Sequence, residues 1–204
     1  MITVWCVYWG DKYPKGYVYR IKREVEKYLT VPHRFVCLTD QKLQGIDTVL
    51  QVSDKPGWWQ KIDLFTFSGP ALYLDLDIVL TGNIDCFIGT DKQIRMLKNW
   101  AVSGHGGCQS SIMYWDDARV IYDNYDPAIC GTWPPSNVPP LLWGDQELCT
   151  LLRDNGTLEV DYFDPALALS YKYHCRQGLP DDCRAVIFHG DPKPATVSES
   201  WLKW

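Results

Sequence analysis

The chain has 204 residues with 10 Trp, 12 Tyr and 6 Phe, and its formal net charge is −5 at neutral pH. This length fits one large domain with a sizeable apolar core. An acidic chain without a block of basic residues lacks the positive face that phosphate backbones require, so the composition argues against a nucleic-acid partner. No apolar run approaches the length of a membrane span and no signal peptide precedes the first predicted strand. We therefore expect a cytoplasmic protein without a membrane span.

The first part of the chain alternates strand and helix patterns. Apolar and β-branched runs predict strands, and apolar residues at helical spacing predict helices. The predicted elements are a strand 2–9, a helix 17–29, strands 34–39 and 48–52, a helix 58–67 and a strand 71–80. Strand, helix and strand at these separations form βαβ units. The sequence therefore predicts an α/β fold: a single Rossmann-like domain over residues 1–204, with a mostly parallel central sheet flanked by helices.

The later part of the chain continues this pattern around a proline-rich segment. The predicted elements are strands 93–97, 109–115, 158–163 and 185–188, and helices 117–125 and 144–153. Five prolines between Asp126 and Pro140 exclude regular structure there, so this segment is predicted to be a long surface loop. Long loops in compact domains tend to be functional, and this loop and the region 171–182 are candidates for shaping an acceptor site.

The eight cysteines are scattered, and none forms a Cys-x-x-Cys pair. Several lie in apolar runs, such as Cys6 and Cys37, which is typical of reduced thiols in the core of a cytosolic protein. The spacing also leaves open a bridge between Cys175 and Cys183 across a short loop.

Two aspartates, Asp75 and Asp77, interrupt the apolar run Ala71–Leu80. In a strand, residues i and i+2 point to the same face, so both carboxylates are predicted to reach one point in space. Because burying a carboxylate without a partner is costly, a cation should lie there. Oxygen ligands suit Mg²⁺ or Mn²⁺, although a pair of carboxylates that merely caps a turn is a common alternative.

His189 also lies at the carboxyl end of a predicted strand and is followed by Gly190 and Lys193. Ligands of open α/β sheets bind outside this end of the strands, which favours a ligand role over a purely structural histidine. One imidazole and two carboxylates favour Mn²⁺. A metal, a lysine and a glycine-containing turn together indicate a diphosphate ligand.

Three further residues have both a functional and a structural interpretation. Asp145 and Gln146 begin a predicted helix, where Asp145 is also a favourable first-turn anion or N-cap. Lys61 lies in a predicted helix just after Trp58 and Trp59, where it is either a solvated lysine or part of a site.

Segments along nearly the whole chain resemble the glycogenin-like and galactosyltransferase-like glycosyltransferases of the GT-A fold, within the nucleotide-diphospho-sugar transferase superfamily. The matching segments are Gly10-Asp-Lys-Tyr-Pro-Lys-Gly16, Lys61-Ile-Asp-Leu-Phe65, the Asp-x-Asp segment Tyr73-Leu-Asp-Leu-Asp77 with its continuation to Asp85, Gln109-Ser-Ser-Ile-Met-Tyr-Trp115, Gly144-Asp-Gln146 and His189-Gly-Asp-Pro-Lys-Pro194. The Asp-x-Asp segment is the most specific match. Gln109 stands where the family has asparagine, and fewer residues separate His189 from Lys193 than in the family.

The resemblance implies a metal-dependent hexosyltransferase that moves a sugar from a UDP-sugar to a glycan, protein or small-molecule acceptor, generally with retention of anomeric configuration. It implies that Asp75, Asp77 and His189 hold Mn²⁺ or Mg²⁺. The implied donor-binding residues are Tyr8, Asp11, Tyr13, Lys61, Asp75, Leu76, Gly190 and Lys193, with Tyr8, Asp11 and Tyr13 on the base and ribose and Tyr13 stacked on uracil. The implied catalytic residues are Asp145, Gln146 and Lys193.

Two other functions use a similar residue set. A nucleotidyltransferase of related architecture also needs carboxylates and a divalent metal. However, the first turn of the chain, residues 10–16, is not the basic, glycine-rich loop that binds a triphosphate. A non-catalytic module that binds nucleotide sugars or glycans would keep the aromatic residues and could dispense with Asp75, Asp77 and His189.

Overall fold

The computed structural model describes residues 1–50, 53–100, 107–131 and 142–202. The strands are β1 (Ile2–Tyr8), β2 (His33–Thr39), β3 (Asp47–Leu50), β4 (Ala71–Leu74), β5 (Ile78–Leu80), β6 (Ile94–Lys98), β7 (Cys108–Trp115), β8 (Val160–Tyr162), β9 (Ala168–Ser170) and β10 (Ala185–Ile187). The α-helices are α1 (Gly16–Tyr28), α2 (Arg119–Asp123) and α3 (Asp145–Asp154). The shorter turns are 3₁₀ helices at Gly57–Thr66, Asp85–Phe87 and Pro194–Thr196 and a π-helical turn at Tyr171–Cys175.

A seven-stranded sheet in the order β3-β2-β1-β4-β7-β6-β8 forms the centre of the fold. Strands β3, β2, β1 and β4 run parallel, β7 runs antiparallel to β4 and β6, and β8 pairs parallel with β6. The prediction of an α/β fold with a mostly parallel central sheet is confirmed. Within the described ranges, no helix is long and apolar enough to cross a membrane.

Helices cover both faces of this sheet, because alternate side chains of the strands point to opposite sides. Val4 and Cys6 of β1 join the core beneath α1, whereas Trp5 and Val7 join the core on the other face. The apolar stripe of α1 is fully buried at Val18, Ile21 and Val25. On the other face lie buried residues of the 3₁₀ helix Gly57–Thr66, α2 and α3, among them Trp59, Ile121 and Leu148.

The apolar run Ala71–Leu80, predicted as one strand, is two strands in two different sheets. β4 belongs to the central sheet, and β5 pairs with β10 in a small sheet ordered β5-β10-β9. Asp75, Leu76 and Asp77 form the turn between them. The prediction that both carboxylates extend from one face of a strand is therefore wrong, because the chain changes sheets at exactly these residues.

A buried arginine on α1 fixes this turn. The Arg20 guanidinium donates hydrogen bonds to the carbonyl oxygens of Leu76 (2.8 Å) and Ile78 (2.6 Å) and pairs with Glu24 (2.7 Å). Glu24 in turn accepts a hydrogen bond from the Leu80 amide (2.9 Å). Buried carbonyls need donors, and Arg20 supplies them to the segment that carries the two aspartates. Residues i and i+4 of a helix lie on the same face, which lets one turn of α1 hold both β5 and the preceding turn.

Other differences from the predicted elements are local. The predicted helix 117–125 is shorter, and the elements β9 and Tyr171–Cys175 were not predicted. Of the predicted strand 48–52, residues 51 and 52 lie outside the described ranges, as do residues 132–140 of the predicted proline-rich loop. All eight cysteines are free thiols and seven are buried, which confirms the prediction of core thiols.

Candidate active site

A cavity of about 380 Å³ opens at the carboxyl ends of β1 and β4. Tyr8 at the end of β1, Asp75 and Asp77 after β4, the first residues of α3, and His189 just after β10 all line it. This is the edge where ligands of open α/β sheets bind. The topology therefore brings together side chains that are more than 100 residues apart in the sequence.

Most of the predicted site residues meet in this cavity. The predicted residues among those that line it are Tyr8, Tyr13, Lys61, Asp75, Leu76, Asp77, Asp145, Gln146, His189, Gly190 and Lys193. Asp11 is exposed and lies outside this lining, so its predicted contact with base or ribose stays a prediction. Lys61 is 7% exposed, which excludes the alternative of a solvated helix lysine.

Lys61 lies at the bottom of the cavity between two carboxylates. Its Nζ atom is 3.3 Å from Asp75 Oδ1 and 3.1 Å from Asp145 Oδ2, and it donates a hydrogen bond to Ser110 Oγ at 3.1 Å. Burial alone would lower the pKa of Lys61, but Asp145 and Asp75 raise it above the usual range. Lys61 is therefore a permanent cation that joins the Asp-x-Asp turn to the start of α3.

Asp75 is held as an anion by its neighbours. Burial favours the neutral acid, but Lys61 and hydrogen bonds from Tyr73 and Ser111 outweigh it and lower the pKa of Asp75. The Tyr73 hydroxyl donates to Asp75 Oδ1 at 2.5 Å. Burial and the charge of Asp75 raise the pKa of Tyr73 well above its usual value, so this hydroxyl stays protonated and remains a donor.

Asp77 pairs with a second lysine nearer the cavity mouth. Lys193 Nζ lies 2.6 Å from Asp77 Oδ2, and the Tyr13 hydroxyl donates to the same oxygen at 2.8 Å. Burial and the charge of Asp77 raise the pKa of Tyr13, which keeps its hydroxyl protonated. Lys193 Nζ also lies 5.3 Å from the centre of the Tyr13 ring. The closing segment of the chain thus contacts both the first turn and the Asp-x-Asp turn.

His189 is oriented by β9 and by aromatic neighbours. Its Nε2 shares a hydrogen bond with Ser170 Oγ (2.7 Å), and its ring stacks on Trp100 with the ring centres 6.1 Å apart. Partial burial lowers the pKa of His189, and the positive charge of Lys172 lowers it further. The neutral imidazole is therefore favoured at neutral pH.

The predicted metal ligands all line the cavity, but the described residues do not present them as a metal site. Among the residues that the structure describes, no three His, Cys, Asp or Glu side chains are grouped closely enough to hold a metal ion. Asp75 contacts Lys61, Asp77 contacts Lys193, and His189 contacts Ser170. In this arrangement Lys61 and Lys193 supply positive charge to the two carboxylates, and a metal ion at Asp75, Asp77 and His189 stays a prediction.

The start of α3 is fixed by tryptophan contacts. Trp58 Nε1 donates a hydrogen bond to the carbonyl oxygen of Trp143, and a Cβ on Gly144 would lie 3.0 Å from Trp58 Nε1. Only glycine therefore fits comfortably before Asp145. Asp145 is 4% exposed and lies in the first turn of α3, where a negative charge is favourable. Its carboxylate also forms the ion pair with Lys61.

Several contributors to the site were not predicted as site residues. Tyr73, Trp58 and Trp143 line the cavity, and Ser170 orients His189. The donor Tyr73 lies two residues before Asp75, a spacing that could have identified it in a strand ending at the site. Gln109, which replaces the asparagine of the family, donates to Ser111 Oγ (2.6 Å) and accepts from the Ser111 amide (3.0 Å).

The chain has a galactosyltransferase-like GT-A fold, as comparisons with solved structures show. The glycosyltransferase GlyE of Streptococcus pneumoniae TIGR4 matches with a TM-score of 0.67 and 12% identity, covering 95% of this chain and 56% of that one. The galactosyltransferase LgtC, in complex with donor and acceptor sugar analogues, matches with a TM-score of 0.60 and 12% identity over 94% of this chain and 88% of that one.

A third match is a glycosyltransferase involved in glycosylation of the major capsid of PBCV-1. Its TM-score is 0.62 and its identity 12%, covering 94% of each chain. The chain thus spans little more than half the length of GlyE and nearly all of the capsid enzyme. No protein-family model matches the chain, and no curated protein sequence matches it either. At these identities the likeness establishes the fold.

Proposed function

We propose that the protein is a glycosyltransferase of the hexosyltransferase type that takes its sugar from a UDP-sugar donor. The observation that carries this proposal is the cavity at the strand ends of a GT-A fold. It gathers an aspartate pair, two lysines and the Asp145-Gln146 pair within one space of about 380 Å³. A nucleotide sugar needs these groups: cations for its diphosphate, and polar side chains beside the carbon that reacts.

The nucleoside end of the donor is assigned to the first turn. Tyr8 and Tyr13 line this side of the cavity and offer aromatic rings for the base, and Asp11 is assigned to the ribose. Aromatic side chains bind flat rings with favourable stacking geometry. Leu76 and Gly190 also line the cavity, and both are assigned to the donor.

The diphosphate end is assigned to Lys193. Cleavage of the bond between the anomeric carbon and the diphosphate oxygen places negative charge on the leaving group, and the sugar gains oxocarbenium character. A lysine fixed at the cavity wall stabilises that charge where it develops. Asp145 and Gln146 lie on the reacting side, where they stabilise or position the sugar. Lys61 holds the Asp145 carboxylate in place through the 3.1 Å ion pair. We propose that the anomeric configuration is retained.

A divalent ion, Mn²⁺ or Mg²⁺, belongs to the proposal through Asp75, Asp77 and His189. When bound, such an ion supplies positive charge to the diphosphate. Support comes from the donor types, which suit Mn²⁺. For Asp77 to bind a metal through Oδ2, Lys193 must first release this oxygen, since they are 2.6 Å apart. Metal binding and the Lys193–Asp77 pair therefore compete.

The test is hydrolysis of a panel of UDP-sugars by the purified protein, with and without Mn²⁺. We expect release of UDP from at least one donor, and loss of most of this activity in Asp77→Asn. The matched control is Asp91→Asn, an exposed aspartate outside the cavity lining, which should leave the rate unchanged. If no donor releases UDP under either condition, and no UDP binding is detected by calorimetry, the proposal is refuted.

A further inference from the structure

A lysine outside the predicted site has its ammonium group next to Gly190. Lys172 belongs to the π-helical turn Tyr171–Cys175. A Cβ built on Gly190 would lie 2.9 Å from Lys172 Nζ, so the ammonium group occupies the space that any larger residue would need. Gly190 has φ +65°, a backbone conformation that glycine adopts without strain. The missing Cβ at Gly190 thus leaves room for the ammonium group of Lys172.

Lys172 differs from the two lysines inside the cavity in its charge balance. Lys61 contacts Asp75 and Asp145, and Lys193 contacts Asp77. Within the described part of the chain, no carboxylate lies within the 4.0 Å ion-pair distance of Lys172 Nζ. Holding a long lysine side chain against a backbone turn costs rotamer entropy, and no local anion offsets this cost. Lys172 therefore brings to Gly190 a positive charge that no ion pair among the described residues offsets.

The two lysines come to this part of the site from different segments. Lys193 contacts Tyr13, whereas Lys172 Nζ lies next to Gly190, and both charges act on His189. Lys172 is outside the cavity lining, but Gly190 is part of it. The four-carbon side chain of lysine is flexible enough to bring its ammonium group around a residue that has no Cβ. An anion held over Gly190 can then be reached by both ammonium groups.

We propose that Lys172 is a second diphosphate-binding cation, which contacts the terminal phosphate of a nucleoside diphosphate while Lys193 contacts the phosphate nearer the nucleoside. This inference rests on the proposed function. It assigns to the π-helical turn a role in holding the leaving group.

The experiment is isothermal titration calorimetry of UDP, UMP and uridine with wild type, Lys172→Met, Lys172→Arg and Lys92→Met. Methionine keeps the length of the side chain and removes its charge. Lys172→Met should weaken UDP binding about tenfold, equivalent to about 1.4 kcal/mol, weaken UMP binding less, and leave uridine binding unchanged. Lys172→Arg should restore most of the UDP affinity. Lys92, an exposed lysine near Glu159, is the matched control and should match wild type.

The possible outcomes separate this inference from the proposed function. If wild type binds UDP and Lys172→Met binds it equally well, the role of Lys172 is excluded while the proposed function stands. If Lys172→Met weakens the binding of UDP and of uridine by the same factor, Lys172 supports the folded structure and does not contact the diphosphate. The inference is then also excluded. If wild type binds no UDP at all, both the proposed function and the inference fail.

Discussion

Two lysines face the Asp-x-Asp turn from different depths. Lys61 lies below it with 8% of its side chain exposed and contacts Asp75 and Asp145. Lys193 lies at the mouth with 23% of its side chain exposed and contacts Asp77. Lys61 also donates a hydrogen bond to Ser110 and lies over the Tyr73 ring. Lys193 belongs to the C-terminal part of the sequence.

This difference in depth assigns different work to the two ion pairs. A buried charge that loses its partner is strongly destabilising, so the Lys61 cluster fixes the relative positions of β4, β7 and α3. Lys193 is more exposed than Lys61, so separating it from Asp77 costs less than separating Lys61 from its two carboxylates. Under the proposed function we expect Lys193 to leave Asp77 when a diphosphate or a cation binds, whereas the Lys61 pairs stay in place.

The largest expected effect is on folding stability when the inner lysine loses its charge. Lys61→Met leaves Asp75 and Asp145 without their shared cation, so the free energy of unfolding should fall by about 3–5 kcal/mol. The matched variant Lys193→Met should lose less, about 1–3 kcal/mol, because its buried partner Asp77 keeps the hydrogen bond from Tyr13. Urea unfolding monitored by tryptophan fluorescence measures both. Equal losses in the two variants would remove the distinction between the inner and outer pairs.

A second prediction concerns the exchange of Lys193 for a metal ion at Asp77. UDP at 100 times its dissociation constant should stabilise the wild type by about 2.7 kcal/mol, which raises Tm by about 5–10 °C for a chain of this size. We expect a larger rise with UDP and Mn²⁺ together than with UDP alone, and Asp77→Asn should abolish this difference. Differential scanning fluorimetry measures it, with Asp91→Asn as the control. If Mn²⁺ does not change the rise in Tm that UDP causes in the wild type, Asp75, Asp77 and His189 do not bind the metal as proposed.

The central sheet and most of the cavity could be predicted because they depend on local patterns. Buried parallel strands appear as continuous apolar runs, and polar residues directly after such runs mark the ligand-binding edge. This argument placed Asp75, Asp77 and His189 at one edge, and all three line the cavity. It succeeded for the aspartates even though its geometric detail, a shared strand face, was wrong.

What could not be predicted depends on contacts between distant segments. Arg20 looks like an ordinary charge on a surface helix, yet it is 3% exposed because the carbonyls of Leu76 and Ile78 need donors. The three-residue strands β5 and β9 are too short for a periodic pattern. Lys172, in the turn Tyr171–Cys175, comes close to Gly190 only through the folding of the chain. The roles of such residues can be recognised only when the order of the strands and the contacts between distant segments are known.

The smallest expected effect is on the acid dependence of stability, and it separates Asp75, the carboxylate paired with Lys61, from ordinary carboxylates. Lys61, Tyr73 and Ser111 lower the pKa of Asp75 in the folded state despite its burial. The unfolded chain therefore binds a proton at this residue at higher pH, about 4, than the folded chain does. The ion pair contributes its full stability above that pH and loses it as the pH falls through the folded pKa. Urea midpoints measured from pH 6 down to pH 3 should fall less steeply in Asp75→Asn than in wild type. Asp91→Asn should follow the wild-type slope, and an unchanged slope in Asp75→Asn would mean that the inner lysine does not hold this carboxylate in its charged form.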